Sequence, residues 1–264
     1  MSAEIGSGRF EILCEIEPPS TPGMARVHEQ LDVLTGRCDA FLVPDSHLGR
    51  ATLSSLAVAK EVVDRDMQAV VCLNARDRNE LGLQRDLLTA VAYGIREILF
   101  VYGDKPSDGD RSTLKVSKML QLARSGPFAH NLRLGVAADV RKDLPDWKHQ
   151  ADFVLTQMSF DVEAVAQWRE RIGFSGLVYA GVVVLASEKM ALRLTDVVPG
   201  FSVPDALMTD LRRRSDAGVD AAVATVRAHR SAGSVSGVQL IPARRFRETA
   251  EALGLDQLDR GRSR

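Results

Sequence analysis

Residues 10–19 read Phe10-Glu11-Ile12-Leu13-Cys14-Glu15-Ile16-Glu17-Pro18-Pro19: a short apolar, β-branched strand that runs straight into two prolines. A doubly wound dinucleotide-binding sheet needs a glycine-rich GxGxxG turn at this point, and none is present. Proline has no N–H and restricts the residue before it, so the ladder stops and the chain leaves in an extended conformation. Working outward, apolar runs recur near 40–44, 68–73, 97–102, 133–138, 152–157, 176–184 and 236–241, making eight strand candidates with the first. Segments of helical period lie near 22–35, 51–65, 79–93, 111–124, 160–172, 187–195, 216–231 and 243–253. Eight such units in 264 residues predict an α/β fold, a single-domain (β/α)8 TIM barrel over residues 1–264 with a frayed tail at about 255–264. The stretch 196–215, with Pro199-Gly200-Phe201-Ser202-Val203-Pro204, is long for a connection and predicts a short extra helix.

Composition narrows the function classes. With 45% hydrophobic and 26% charged residues and a formal net charge of −1, the chain has no electrostatic footprint for nucleic acid or an anionic membrane. A small-molecule ligand is the default partner. Arg212-Arg213-Arg214 and Arg244-Arg245 read as solvated faces. Cys14, Cys38 and Cys72 lack CxxC spacing and sit in or beside apolar runs, as buried thiols of a reducing compartment do. The N-terminus Met1-Ser2-Ala3-Glu4 shows no signal-peptide pattern and no apolar run is long enough to span a bilayer, so a cytoplasmic location is expected. The five histidines have no metal-ligand spacing, and neither a GxSxG elbow nor a GxxxxGK[ST] loop occurs. No metal is expected.

Chemistry therefore falls to polar groups at strand ends, where a barrel keeps its active site. Strand alternation sends Ile12, Cys14 and Ile16 toward the helices and Leu13, Glu15 and Glu17 into the barrel near its C-terminal mouth. A buried carboxylate with a raised pKa is a proton donor near neutral pH; pairing with Arg76 or Arg78 is the competing reading. Asp104 follows a strand and Gly103 and precedes the loop Lys105-Pro106-Ser107-Asp108-Gly109, so its carboxylate can face a ligand or cap a turn. Gln157 ends Asp152-Phe153-Val154-Leu155-Thr156-Gln157 on the face of Phe153 and Leu155, where an amide can meet a heterocycle or a loop backbone. In Arg76-Asp77-Arg78-Asn79 both charges mix, suggesting a salt-bridged scaffold with Asn79 as a helix cap.

Taken in order, CEIEPP at 14–19, RDRN at 76–79, Gly94-Ile95, Gly103-Asp104 and ADFVLTQMSFD at 151–161 resemble the methylenetetrahydrofolate reductase family. The resemblance extends over nearly the whole chain, ending at Gly237-Val238-Gln239-Leu240. It implies a (β/α)8 barrel that reduces 5,10-methylenetetrahydrofolate to 5-methyltetrahydrofolate in one-carbon metabolism and methionine biosynthesis. Glu15 matches the acid that helps open the folate's five-membered ring to an iminium ion, Asp104 the aspartate that binds the pterin and steadies positive charge, and Gln157 a pterin-bonding amide. Glu17 joins the substrate-binding set.

The family's flavin contacts map differently. Pro44-Asp45 stands where the family has Thr-Tyr, Cys72 where it has histidine, Tyr102 where it has arginine before Gly-Asp, and Ala137-Ala138-Asp139 where it has Ala-Ala-Tyr. At the cofactor positions Asp45, Cys72, Tyr102, Ala138 and Asp139, aromatic stacking and cationic contacts to an anionic dinucleotide are thus lost. The expectation is hydride transfer straight from NADH or NADPH without FAD. The alternatives are the same reaction through bound FAD, and a folate-binding barrel that partners a methyltransferase without reductase activity. No fingerprint separates NADH from NADPH, and monomer and homo-oligomer both remain open.

Overall fold

The computed structural model describes residues 6, 8–46, 49–104 and 112–262, with side chains through 254 in the last helix. The N-terminal Met1-Ser2-Ala3-Glu4, the Lys105–Gly109 loop and the last two residues of the tail lie outside them. Eight parallel strands close into a barrel in chain order: β1 Glu11–Glu15, β2 Ala40–Val43, β3 Gln68–Asn74, β4 Glu97–Val101, β5 Arg133–Ala138, β6 Phe153–Met158, β7 Leu177–Val183 and β8 Gly237–Ile241. β8 pairs back onto β1 through Val238↔Ile12 and Leu240↔Cys14, which closes the ring. The first strand does end before the prolines.

Around the barrel run α1 Ala25–Leu34, α2 Ser55–Val63, α3 Glu80–Ala92, α4 Val116–Ser125, α5 Val162–Arg171, α6 Glu188–Val197, α7 Asp205–Arg213, α8 Ala217–Ala232 and α9 Phe246–Arg262. Their starts follow from local chemistry. Asn79 caps α3 by accepting from Gly82 N at 2.8 Å, and Asp161 caps α5 by accepting from Ala164 N at 2.9 Å. Between β5 and β6 there is only a 3-10 turn, Asp146–Gln150. The extra helix expected within 196–215 is α7, and α9 runs to Arg262 where the apolar pattern ends near 253.

Alternation along the strands sorts the core into two. Ile12, Cys14, Ile16, Phe41, Val71, Leu73, Ile98, Phe100 and Val154 pack outward against the helices. Leu13, Leu42, Val70, Cys72, Leu99, Phe153, Leu155 and Tyr179 fill the barrel interior. The interior is thus a packed plug, as expected of eight strands, and room for a ligand exists only at its ends. Gly135 makes space for this plug, since a Cβ there would lie 2.1 Å from the Phe153 ring. Burying apolar side chains of this size contributes about 1.5–3 kcal/mol each, so a polar group in the plug must have a specific partner. At the N-terminal end the Tyr179 hydroxyl donates to Glu11 Oε2 at 2.6 Å.

Candidate active site at the C-terminal mouth

Glu15 is the last residue of β1, on the inward face of Leu13. Gln239, inward on β8, donates from Nε2 to Glu15 Oε2 at 2.5 Å. Burial pushes the Glu15 pKa up to about 7; the Gln239 hydrogen bond opposes the rise and the nearby Glu17 charge adds to it. Neither Arg76 nor Arg78 is its partner. Near neutral pH the group is therefore divided between acid and carboxylate, as a proton donor must be. The Gln239 amide was missed in the sequence, although Gly237, Gln239 and Ile241 share one face by period two.

Glu17 lies beyond the end of β1, where strand alternation no longer governs direction. Its Oε2 meets Arg26 Nη2 of α1 at 3.0 Å, and its backbone N–H donates to Gln30 Oε1 at 2.7 Å. The expectation that it points into the barrel is corrected accordingly.

Gln157 also departs from simple alternation. The β6–β7 register passes from Leu155↔Tyr179 to Met158↔Gly181, so three residues on β6 answer two on β7. This bulge buries Thr156, whose hydroxyl accepts from Gly181 N at 3.2 Å, and leaves Gln157 exposed at the strand end. Only glycine fits opposite, because a Cβ on residue 181 would lie 2.8 Å from Met158 N. Among the described residues the Gln157 amide makes no side-chain hydrogen bond, so both its donor and acceptor can meet a ligand.

Between the ends of β2, β3 and β4 lies a cavity of about 170 Å³, whose wall includes Ser46, Arg50, Asn74, Arg76, Asp77 and Asp104. Asn74, which continues the inward row of Val70 and Cys72, organises this wall. Its Nδ2 donates to Asp45 Oδ2 and to Asp77 Oδ2, each at 2.8 Å, and its Oδ1 accepts from Arg76 N at 2.9 Å. Asp104 is exposed here, carried into the wall by Gly103 at φ +84°. A Cβ at 103 would lie 2.8 Å from Asn74 Cβ, so glycine is needed for the approach as well as the turn.

The arginines of RDRN divide the labour. Arg78 is the scaffold: it meets Asp45 at 2.5 Å, Asp77 at 2.8 Å and Asp86 at 2.9 Å. Burial alone would lower its pKa, but Asp45 above all, then Asp77 and Asp86, hold it above the ordinary value. Arg76 forms no salt bridge among the described residues. Its Nε donates to Gly103 O at 2.7 Å and its guanidinium lies 4.4 Å from the centre of the Tyr102 ring.

The remaining cofactor candidates are spread out. Asp45 faces Arg78 and Asn74. Cys72 is buried in the barrel plug, where burial first, then Glu15 and Asp45, push its thiol pKa well above the usual range. Tyr102 is exposed with Arg76 over its ring, and Ala138 packs outward among the helices. Asp139 is paired with Arg141 at 2.7 Å, and that hydrogen bond lowers its pKa. Among the described residues no cluster of histidine, cysteine and carboxylates could hold a metal, and no helix is long and apolar enough to cross a membrane.

Residues 1–252 match the family described as methylenetetrahydrofolate reductase. The chain belongs to the methylenetetrahydrofolate reductase family. No curated protein matches it by sequence. Among solved structures, an uncharacterized protein from Clostridium thermocellum that binds two copies of 5-methyl-5,6,7,8-tetrahydrofolic acid is similar with a TM-score of 0.67 at 14% identity, over 94% of this chain and 95% of that one. The Bacillus cereus spore cortex-lytic enzyme SleL gives 0.58 at 10% identity, over 94% and 75%. EDTA monooxygenase from Chelativorans sp. BNC1 gives 0.55 at 11%, over 96% and 94%. Such distant likenesses establish the barrel alone, because one fold hosts many chemistries. For this methylenetetrahydrofolate reductase family member, function must be argued from the mouth.

Proposed function

We propose that this protein reduces 5,10-methylenetetrahydrofolate to 5-methyltetrahydrofolate with a hydride taken directly from NADH or NADPH. The observation that carries the reading is Glu15, a mouth carboxylate whose pKa of about 7 lets it hold a proton at neutral pH. Protonated Glu15 gives its proton to the folate nitrogen that leaves the one-carbon bridge, and the other nitrogen becomes an iminium. Asp104 faces that positive charge and Gln157 holds the pterin edge. The nicotinamide then delivers hydride to the iminium carbon, forming the methyl group, and solvent returns a proton to Glu15. Proximity and a stabilised cation are the protein's share of this step; the reductant supplies the electrons.

Direct transfer is supported by the residues at the flavin positions. They offer two ion-paired carboxylates, Asp45 and Asp139, a buried thiol, an outward-packed alanine methyl, and a phenol ring that Arg76 overlies. None of these fits as a contact to the phosphates of a flavin dinucleotide. Folate as the substrate class is supported by family membership and by the bound 5-methyltetrahydrofolate of the Clostridium thermocellum protein. The test is anaerobic: purified protein without visible flavin absorbance is mixed with NADH, then with methylenetetrahydrofolate. NADH oxidation that begins on folate addition and yields 5-methyltetrahydrofolate is the expected result. Folate binding without oxidation of NADH or NADPH would instead favour a methyl-transfer partner.

A further inference from the structure

Two guanidinium groups, Arg50 and Arg76, line the mouth cavity, and neither has a carboxylate partner among the described residues. The acids nearby are largely committed. Asp77 accepts from Arg78 through Oδ1 and from Asn74 and Ser46 through Oδ2. Arg76 is also fixed in place: its N–H by Asn74, its Nε by the Gly103 carbonyl at 2.7 Å, and its plane by the Tyr102 ring. A surface arginine has no need of the two restraints on its side chain, whereas a guanidinium whose terminal nitrogens must meet an incoming anion gains from losing its rotamer freedom beforehand.

We propose that Arg76, with Arg50, is the subsite that receives the phosphates of the nicotinamide dinucleotide. The assignment deepens the reductase reading above and rests on it. Forked N–H donors match phosphate oxygens, and in this wall Arg76 is already oriented while neither guanidinium is paired with a carboxylate among the described residues. The folate's own anions are the other source of negative charge, but its glutamyl carboxylates lie at the far end of the aminobenzoyl linker from the pterin. Asp104, assigned to the pterin, is in the same cavity wall as Arg76. In a dinucleotide a single ribose separates the pyrophosphate from the nicotinamide, so a phosphate bound here leaves the hydride beside the pterin.

The experiment compares the full-length protein with Arg76→Gln, Arg76→Lys and Arg50→Gln. Arg76→Gln should raise KM for NADH by about tenfold or more, while KM for methylenetetrahydrofolate stays within about twofold. Arg76→Lys keeps the charge but loses the fork and should fall between. Equilibrium binding of ADP-ribose, which lacks the nicotinamide, should weaken in parallel. Unchanged KM for NADH and unchanged ADP-ribose affinity in Arg76→Gln would overturn the subsite, and so would a rise confined to KM for the folate. Wild-type protein that binds ADP-ribose through Arg76 yet never oxidises NADH would leave the subsite standing and remove the reductase reading.

Discussion

On the proposed mechanism, Glu15 alone sets the pH dependence of turnover above neutrality. The proton donor must be protonated, so kcat/KM should fall as pH rises through about 7. Glu15→Gln keeps shape and hydrogen bonding but cannot give a proton; turnover should be abolished while folate affinity, read by equilibrium titration, is largely kept. Gln239→Leu removes the hydrogen bond that holds the pKa down, so the alkaline limb should move to higher pH. A limb that stays put would remove Gln239 from the positioning of Glu15. Linkage gives a stability effect of the same origin. Between about 4.5 and about 7 the folded protein keeps a proton that the unfolded chain has lost, so stability should decline across that window as pH rises. The size is on the order of 2 kcal/mol, allowing for the water that reaches a residue at the mouth, and Glu15→Gln should flatten it in denaturant titrations. For Asp104→Ala the expected loss is on the order of 2–4 kcal/mol in transition-state stabilisation, read from kcat/KM, if the carboxylate faces developing positive charge.

The ends of β2 and β3 act as one element, tied by Asp45, Asn74 and Arg78, and Arg76 joins the end of β4 to it through the Gly103 carbonyl. Asp45→Ala would strip the buried guanidinium of its nearest carboxylate while leaving Asp77 and Asp86, so the cost should be about 2–4 kcal/mol in the denaturation midpoint, with impaired turnover because the Asn74 anchor of Arg76 loosens. A midpoint unchanged from wild type would show the network to be dispensable. Much of this was legible in the sequence. Period-two alternation placed Glu15 inward because its strand neighbours Ile12, Cys14 and Ile16 are all apolar, and Asn79 announced its helix by capping chemistry. Glu17 and Gln157 could not be placed the same way, since one lies past the end of the ladder and the other on a bulge whose only trace is Gly181. Asn74 and Gln239 carried an inward-period signal at interior positions, whereas the pairing of Arg78 with Asp45 and Asp86 joins residues that only the barrel's closure brings together.

At the scale of the whole molecule, eight strands close round a packed plug, and the groups assigned to the proposed reaction lie in or just beyond the C-terminal halves of the strands. Glu15 and Gln239 come from where β1 meets β8, Asp104 and Arg76 from β4 and β3, and Gln157 from β6. The proposed reaction draws its acid, counter-charge and amide from this one end of the barrel, and of the three Asp104 lies in the cavity wall. The central claim is that hydride passes in one step from nicotinamide to folate, and isotope transfer tests it most directly. Flavin-free protein is given methylenetetrahydrofolate and a reductant deuterated at the transferring carbon of its nicotinamide ring, in ordinary water, and the product is analysed by mass spectrometry. Direct transfer predicts one deuterium in the methyl group of every 5-methyltetrahydrofolate formed. A product whose methyl hydrogen comes from solvent, or turnover only after flavin is added back, would contradict it.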